Sequence, residues 1–442
     1  MSGTQPEETD RENPGNLGRH LTLVPAVALA VTTVIGGGAL ALPGVALAEA
    51  GNNAILGWVL AAVITIPLIV VFARLGAKFP SAGGIAGFVQ STFGRPGAAG
   101  VEVVFIGTVI LGMPAIALSG GGYLAAALGC SPGWAWLGAT VLLVLATGLL
   151  SVGAVLSARV QTVLAVVLTL ALAAVGVLGL GSPAARFTAP SLDLAGWRDA
   201  FAVVGIVFFG FTGWEIVAFT LGEYRNPKRD FPRVMALSFV IVVGVYLILA
   251  AGVQAVLDRG APRSATAPIA DLVSIALSPT AAVLVSVLGT IILGANLIGA
   301  LWGASRLVYS SACEGLLPAR LARLSGAGSV PRRAVLAVGA VFVLVVAASA
   351  IGLVAPTTMF EIAGQNFFLL YILAAVVFAR QATTTAGRVS GVLIALALVA
   401  VVVVGFNLPA IIYPLVLFAI GVGAGYRRRR VSTVSQSVSP ER

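Results

Sequence analysis

Long apolar segments constrain this chain more than any other feature of its sequence. A membrane-spanning helix needs about 20 mostly apolar residues, and twelve segments come close to that length. They lie near residues 23–48, 55–77, 98–127, 133–153, 158–180, 200–222, 234–256, 281–304, 333–354, 361–379, 389–405 and 409–425. Charged residues make up only 10% of the chain, compared with roughly 25% in soluble domains. The sequence therefore predicts an all-α integral membrane protein with twelve transmembrane helices.

Three other segments complete this outline. Residues 267–277 are apolar but too short to cross a bilayer, so we expect a re-entrant or interfacial helix there. Residues 1–22 are mostly polar and residues 426–442 are basic. We expect these two segments to form tails on either side of the membrane domain.

Basic residues indicate how the spans are oriented. If the N-terminus lies inside the cell, all 26 Lys and Arg residues fall in cytoplasmic segments except Arg186, Arg198, Arg259 and Arg263. Cytoplasmic loops are enriched in Lys and Arg, so we expect a plasma-membrane protein with both termini in the cytoplasm. We attribute the formal net charge of +10 to topology and to contact with the anionic lipid bilayer, and not to nucleic acid.

The sequence offers little catalytic or metal-binding chemistry. The single histidine, His20, lies in the N-terminal tail, and the two cysteines, Cys130 and Cys313, fall near opposite faces of the predicted topology. No nucleophile–base pair, cluster of metal ligands or ATP-binding loop is visible. We therefore expect no enzyme activity, no metal site and no cofactor.

A run of three glycines, Gly36, Gly37 and Gly38, interrupts the first span near its middle. Each glycine costs about 1 kcal/mol relative to alanine inside a helix. A broken span is tolerated where protein or water satisfies the freed backbone groups, which suggests a ligand site deep in the bilayer. Close helix packing is the alternative explanation, since small residues are common at helix–helix interfaces.

A second break is expected five spans later if the protein is built from inverted repeats. The sixth span contains Gly210, Gly213 and the acidic Glu215 near its middle. A carboxylate inside the membrane costs about 2.5–3.5 kcal/mol on insertion scales, which makes Glu215 a candidate functional residue. A structural hydrogen bond to the backbone freed by the break is the alternative, and the two roles are compatible.

Two adjacent breaks would suit a zwitterion. The N-terminal ends of half-helices present N–H groups to an anion such as a carboxylate, and the C-terminal ends present carbonyls to an ammonium group. An α-amino acid carries both groups.

Four motifs resemble those of the amino acid–polyamine–organocation (APC) transporters. They are the first-span break at 34–38, the loop at 79–84, the sixth-span signature at 211–215 with 222–232, and the stretch from 303 to 318 after the eighth span. Each motif alone is weak, but all four occur in the family's order.

The resemblance implies a leucine-transporter-like fold with a 5+5 inverted repeat and broken first and sixth helices. In that fold, residues 23–425 form one transporter domain. The repeats would cover about 23–180 and 200–380, with peripheral helices at about 389–425.

The resemblance also implies roles for individual residues. The substrate carboxylate would meet the amides of Gly37 and Gly38, beside Gly36. The ammonium group would meet carbonyls around Val34, Ile35, Phe209 and Thr212, with Phe209 as an aromatic lid. Glu215 would link the sixth span to neighbouring polar groups.

Side-chain selectivity should come from other spans. Ile110, Met113, Phe209 and Ala300 would suit a side chain the size of leucine, isoleucine or methionine, although lipid-facing or packing positions carry the same residue types. No acidic residue lies in the stretches 107–114 and 293–300, so cationic substrates are disfavoured. Asn296 and Asn366 are candidates for gating or ion coordination, with an interhelical hydrogen bond as the alternative.

The coupling ion stays open in the sequence. Some relatives place a lysine in the fifth span, but residues 160–180 contain none. Proton coupling through Glu215, sodium coupling and exchange all remain options.

We therefore expect a secondary transporter of neutral, hydrophobic amino acids that resembles the bacterial exporters of methionine and branched-chain amino acids. The alternatives are an uptake permease or exchanger of different neutral specificity and, from another class, a channel or scaffold without transport.

Overall fold

The computed structural model describes residues 22–79, 84–153, 158–217, 227–260, 266–313, 315–324, 330–406 and 408–437. Within these ranges the regular structure is helical. The helices are α1 (Leu23–Val34), α2 (Leu42–Ala50), α3 (Ala54–Lys78), α4 (Gly84–Ala127), α5 (Ala135–Ser151), α6 (Ala158–Gly181), α7 (Leu194–Phe208), α8 (Trp214–Val217), α9 (Pro227–Val256), α10 (Pro268–Ala276), α11 (Pro279–Cys313), α12 (Arg332–Ala350), α13 (Pro356–Gln381), α14 (Thr385–Gly405) and α15 (Leu408–Ser437).

Ten helical stretches among the described residues are long and apolar enough to cross a membrane. Two further apolar helices, Leu23–Val34 and Ala410–Tyr426, are shorter. The all-α membrane class is thus confirmed, whereas the count of twelve spans and the inverted repeat stay predictions. The tails and the domain limits stay predictions too.

The helices run back and forth between two faces of the molecule. We define the first face by the start of α1 at Leu23 and the second face by the end of α2 at Ala50. At the first face, Lys78 Nζ donates to the Gln381 carbonyl at 3.0 Å, joining the ends of α3 and α13. At the second face, Arg259 Nε donates to the Ala48 carbonyl at 2.9 Å.

Helix α4 contains a kink that the pattern of apolar segments does not predict. Gly94 adopts a left-handed backbone conformation with φ of 71°, and Pro96 follows it within the same helical run. The kink separates a short first segment, which begins at Gly84, from the long remainder of α4. The sequence predicted that this span starts near residue 98. A segment of about ten residues is too short to register as a span.

Helix α10 is the short apolar element predicted at 267–277. Its buried residues include Ile269, Leu272 and Val273, and it packs against α2, α6, α9 and α11. The helix therefore lies inside the bundle near the second face.

Helices α4 and α13 form much of the core. Helix α4 contacts α5, α11, α12, α13 and α15. In the most apolar 18-residue stretch of α13, 72% of the residues are buried, compared with 22% in the corresponding stretch of α14. Helix α14 therefore lies at the periphery, and its exposed surface suits lipid.

Candidate functional site

The two helix breaks lie next to each other in the middle of the bundle. Helix α1 ends at Val34, and a short 3-10 turn over Gly37–Leu40 precedes α2. Helix α7 ends at Phe208, and a second 3-10 turn over Phe209–Phe211 precedes α8. The two turns are in contact, so the backbone interruptions predicted from the glycines form one site.

Gly213 allows the second break to approach the first. Its φ of +110° is one that L side chains rarely adopt, and a Cβ there would lie 3.2 Å from the Thr33 carbonyl oxygen. A glycine is required at this position for both reasons. The last turn of α1 can therefore lie directly against the second break.

Tyr246 of α9 connects the two breaks. Its hydroxyl lies 2.9 Å from the Gly210 carbonyl and 3.3 Å from the Val34 carbonyl, so it can donate to either one. The ring is fully buried and packs against Trp58 and Phe211, each with a centroid separation of 5.2 Å. A single side chain from a third helix thus supports both interruptions from behind.

A cavity of about 790 Å³ begins at the breaks. Among its lining residues are Val34, Ile35, Gly36, Gly37, Gly38, Met113, Phe209, Thr212, Asn296 and Ala300, all of which were predicted from the sequence. None of the described lining residues is acidic or basic. The wall is therefore apolar except for backbone groups and a few neutral polar side chains.

The first break leaves backbone donors without partners. Gly36 is extended, with φ of −98° and ψ of −167°, and the turn that follows begins at Gly37. Neither the Gly37 nor the Gly38 amide has an acceptor within the described ranges, although the Ala39 amide bonds to the Gly36 carbonyl at 3.1 Å. Two adjacent amides at the start of a helical turn are a favourable arrangement for an anion.

Helices α4 and α11 close tightly around Gly37. A Cβ there would lie 2.8 Å from Leu293 Cδ2, 3.1 Å from Asn296 Oδ1 and 3.1 Å from Ile116 Cγ2. At Gly36 the nearest atom would be Asn296 Nδ2 at 3.6 Å, an ordinary contact. A side chain at the middle glycine would therefore have to displace neighbouring side chains of α4 and α11, while the first glycine has room.

The second break presents carbonyls and an aromatic ring. The Phe209 carbonyl accepts a hydrogen bond from the Thr212 hydroxyl at 2.9 Å. The Phe209 ring lies 5.7 Å from the Phe360 ring and 6.4 Å from the Phe367 ring, centroid to centroid. A Cβ on Gly112 would come within 2.9 Å of it. The ring is held in place at the cavity wall by α4 and α13.

Two predicted residues whose side chains are described, Ile110 and Asn366, are not found in the cavity wall. Ile110 does not line the cavity, and its neighbour Val109 does, because one residue along a helix rotates the side chain by about 100°. Asn366 is fully buried in α13, and neither of its side-chain polar atoms has a partner among the described residues. The side chain of Glu215 lies outside the described part of the structure.

Other lining residues were not found from the sequence. They include Thr32, Thr33, Phe105, Val109, Ile116, Leu164, Ala165, Leu168, Tyr246, Ile292, Gly299, Trp302 and Phe367. Helical spacing from Met113 would have pointed to Val109 and Ile116. Tyr246 is a tyrosine in an otherwise apolar stretch, and its polar hydroxyl was the other sequence feature that could have indicated a residue of the site.

Among the described residues, the cavity wall extends from the breaks towards the first face. Its wall continues past the breaks along the first-face halves of α1, α6 and α11, through Thr32, Leu164 and Trp302. Towards the second face, the Tyr123 hydroxyl donates to the Leu40 carbonyl at 2.9 Å and accepts from the Ile269 amide at 3.3 Å. These bonds join α4, the first break and α10 on the side towards the second face.

Comparisons with known proteins identify relatives of this chain. A family model described as amino acid permease matches residues 21–426. The uncharacterized amino acid permease YecA of Bacillus subtilis is 30% identical over 357 residues, which cover 80% of this chain and 84% of that protein.

Two further relatives match about half of the chain. The L-methionine/branched-chain amino acid exporter YjeH of Escherichia coli is 32% identical over 232 residues, 52% of this chain and 55% of that protein. The serine/threonine exchanger SteT of B. subtilis is 25% identical over 239 residues, 53% of this chain and 54% of that protein.

Proposed function

This chain belongs to the amino acid permease family, and from that premise we propose that it moves neutral, hydrophobic amino acids out of the cell by alternating access. The observation that carries the proposal is the pair of unpartnered amides at Gly37 and Gly38, which lie at the head of an uncharged cavity. An amino acid is the family's substrate class, and this cavity offers a place for its backbone and for an apolar side chain.

The substrate backbone would bind between the two breaks. The carboxylate would accept hydrogen bonds from the Gly37 and Gly38 amides. The ammonium group would donate to carbonyls near Val34, Ile35, Phe209 and Thr212, where α1 and α7 end. Opposite ends of the interrupted helices would thus contact opposite charges of the ligand.

The substrate side chain would lie among Val109, Met113, Phe209 and Ala300, with Val109 in the role first assigned to Ile110. A lysine or arginine substrate would leave its charge without a partner in this wall, at a large energetic cost. The pocket therefore favours leucine, isoleucine and methionine. The similarity to a methionine and branched-chain exporter supports the same choice.

The open side of the cavity fits one step of the proposed transport cycle. We assign the first face to the cytoplasm, since most basic residues lie there. The conformation described would then be the one that accepts substrate from inside the cell. Glu215, Asn296 and Asn366 are the proposed gating and coupling residues. A proton is the proposed coupling ion, with sodium as the second candidate.

Counterflow in proteoliposomes tests the substrate class. Vesicles loaded with one unlabelled amino acid at a time should take up labelled leucine when leucine, isoleucine or methionine is inside. Lysine and glutamate should not support uptake. Repeating the assay with and without sodium and a pH gradient identifies the coupling ion. Uptake driven only by serine and threonine would instead favour an exchanger of small neutral amino acids.

Matched substitutions on two helices test the pocket itself. Ala300→Phe should raise the leucine KM about tenfold or more because the new ring occupies the space of the side chain. Ile110→Phe adds the same ring outside the cavity and should leave the KM unchanged. Equal effects of the two variants would contradict the assignment of the pocket.

A further inference from the structure

Four basic side chains lie around the end of α13 at the first face. Lys78 Nζ lies 3.0 Å from the Gln381 carbonyl and 2.8 Å from Gln381 Oε1. Arg388 Nε lies 3.3 Å from the Ala382 carbonyl. The Arg74 guanidinium is 5.6 Å from the centre of the Phe378 ring. We call Arg74, Lys78, Arg380 and Arg388 the α13 cluster.

Arg380 is held in the same way by a neighbouring helix. Its guanidinium lies 4.9 Å from the centre of the Phe93 ring at the start of α4. Gln381 also donates to the Thr92 hydroxyl at 3.2 Å. Every member of the cluster is therefore positioned by neutral groups, which are carbonyls, an amide and aromatic rings.

These contacts leave the positive charge of the cluster uncompensated. No member forms a salt bridge within the described ranges. The salt bridge present in these ranges joins Arg95 to Glu102 at 2.9 Å and involves none of the four. The adjoining residues 80–83 contain no acidic side chain. A helix C-terminus supplies only about half of one negative charge. Among the described residues, four exposed cations thus lie around one helix end without an ion-pair partner.

The surface beside the cluster is apolar and open. Val389, Leu393 and Leu396 follow Arg388 on α14 and are 52%, 60% and 59% exposed. Helix α14 is a candidate membrane span at the edge of the molecule. A basic group at a membrane face, continued by an exposed apolar surface, matches a phosphate headgroup with acyl chains attached.

We propose that the α13 cluster binds the phosphate of an anionic phospholipid whose acyl chains lie along α14. Guanidinium groups bind phosphate oxygens through paired N–H donors. The lipid would connect the ends of α3, α13 and α14 at the first face. This site is separate from the substrate cavity and does not depend on the identity of the substrate.

Lipid binding to the purified full-length protein tests the proposal. Titration with fluorescent phosphatidylglycerol and phosphatidylcholine should show at least tenfold tighter binding of the anionic lipid. The double variant Arg380→Gln/Arg388→Gln should weaken phosphatidylglycerol binding about 30-fold, given an attraction of about 1 kcal/mol between each basic residue and an anionic surface. Binding of phosphatidylcholine should not change.

The matched control is Arg332→Gln/Arg333→Gln, which removes two exposed charges at the start of α12 on the same face. It should bind phosphatidylglycerol as the unaltered protein does. An equal loss in both double variants would show a general charge effect and overturn the proposal. Equal binding of inorganic phosphate and lipid would overturn it as well. Lys78→Gln is a single substitution that repeats the test if the double variant fails to fold.

Discussion

The two helix breaks share a position in the bundle but differ in how their backbone groups are satisfied. At the first break, the Gly37 and Gly38 amides have no acceptor among the described residues. At the second break, the carbonyls of Phe209 and Gly210 accept hydrogen bonds from Thr212 and Tyr246. The first break therefore keeps two donors without acceptors among the described residues, whereas two carbonyl acceptors of the second break are occupied.

This difference suggests a division of labour. Buried backbone donors without partners are rare in folded proteins, so free amides beside a cavity point to a ligand. The second break is flanked by aromatic rings that hold its shape. We infer that the first break supplies most of the binding interactions, while the second supplies geometry and one wall of the pocket.

Substitution at the first break should have the largest effect. At Gly37, a Cβ atom alone would lie 2.8 Å from Leu293 Cδ2. Gly37→Val adds two further carbons, which obstruct both amides. We expect substrate affinity to fall at least roughly 100-fold, which corresponds to two lost hydrogen bonds to a charged group. Equilibrium binding of labelled leucine to the purified protein measures this loss.

The control for this prediction is Gly36→Ala. Its Cβ meets only Asn296 Nδ2, at 3.6 Å, and affinity should stay close to that of the unaltered protein. If Gly37→Val bound leucine normally, the carboxylate would have to bind elsewhere.

Substitution at the second break should act mainly on stability and shape. Gly213→Ala forces φ of +110° on a residue with a side chain, at a cost of about 1–3 kcal/mol in folding free energy. It also crowds the Thr33 carbonyl. We expect a lower midpoint of thermal unfolding and slower transport, measured by fluorescence melting and by counterflow.

Gly244→Ala in α9 is the matched control because nothing lies within 4 Å of the added Cβ. Alanine is favoured over glycine inside a helix, so this variant should melt at the same temperature or higher. A similar loss of stability in both variants would contradict the role assigned to Gly213.

The smallest effect should come from the link between the breaks. Tyr246→Phe removes the hydroxyl near the Val34 and Gly210 carbonyls but keeps the ring between Trp58 and Phe211. The loss should be about 1 kcal/mol in folding free energy, with a measurable decrease in transport rate because the breaks are held less firmly.

Tyr413→Phe provides the comparison, since the Tyr413 hydroxyl lies 3.5 Å from the Gly107 carbonyl, too far for a strong hydrogen bond. Its transport rate should match that of the unaltered protein. Identical rates for Tyr246→Phe and Tyr413→Phe would show that the second break does not need the tyrosine hydroxyl.

The sequence by itself determined the class of the protein and the positions of its interruptions. The apolar segments predicted the helices, the glycines marked where α1 and α7 end, and the short stretch at 267–277 predicted α10. These features depend on residues close together in the chain, because helix length and glycine propensity are local properties.

Only the tertiary structure decided which side chains surround the cavity and which face it opens to. The choice between Val109 and Ile110 depends on the rotation of α4 in the bundle. The bond from Tyr246 to Val34 joins residues 212 positions apart. Such contacts depend on how distant helices pack, and a pattern of apolar residues carries no information about which neighbour each face will meet.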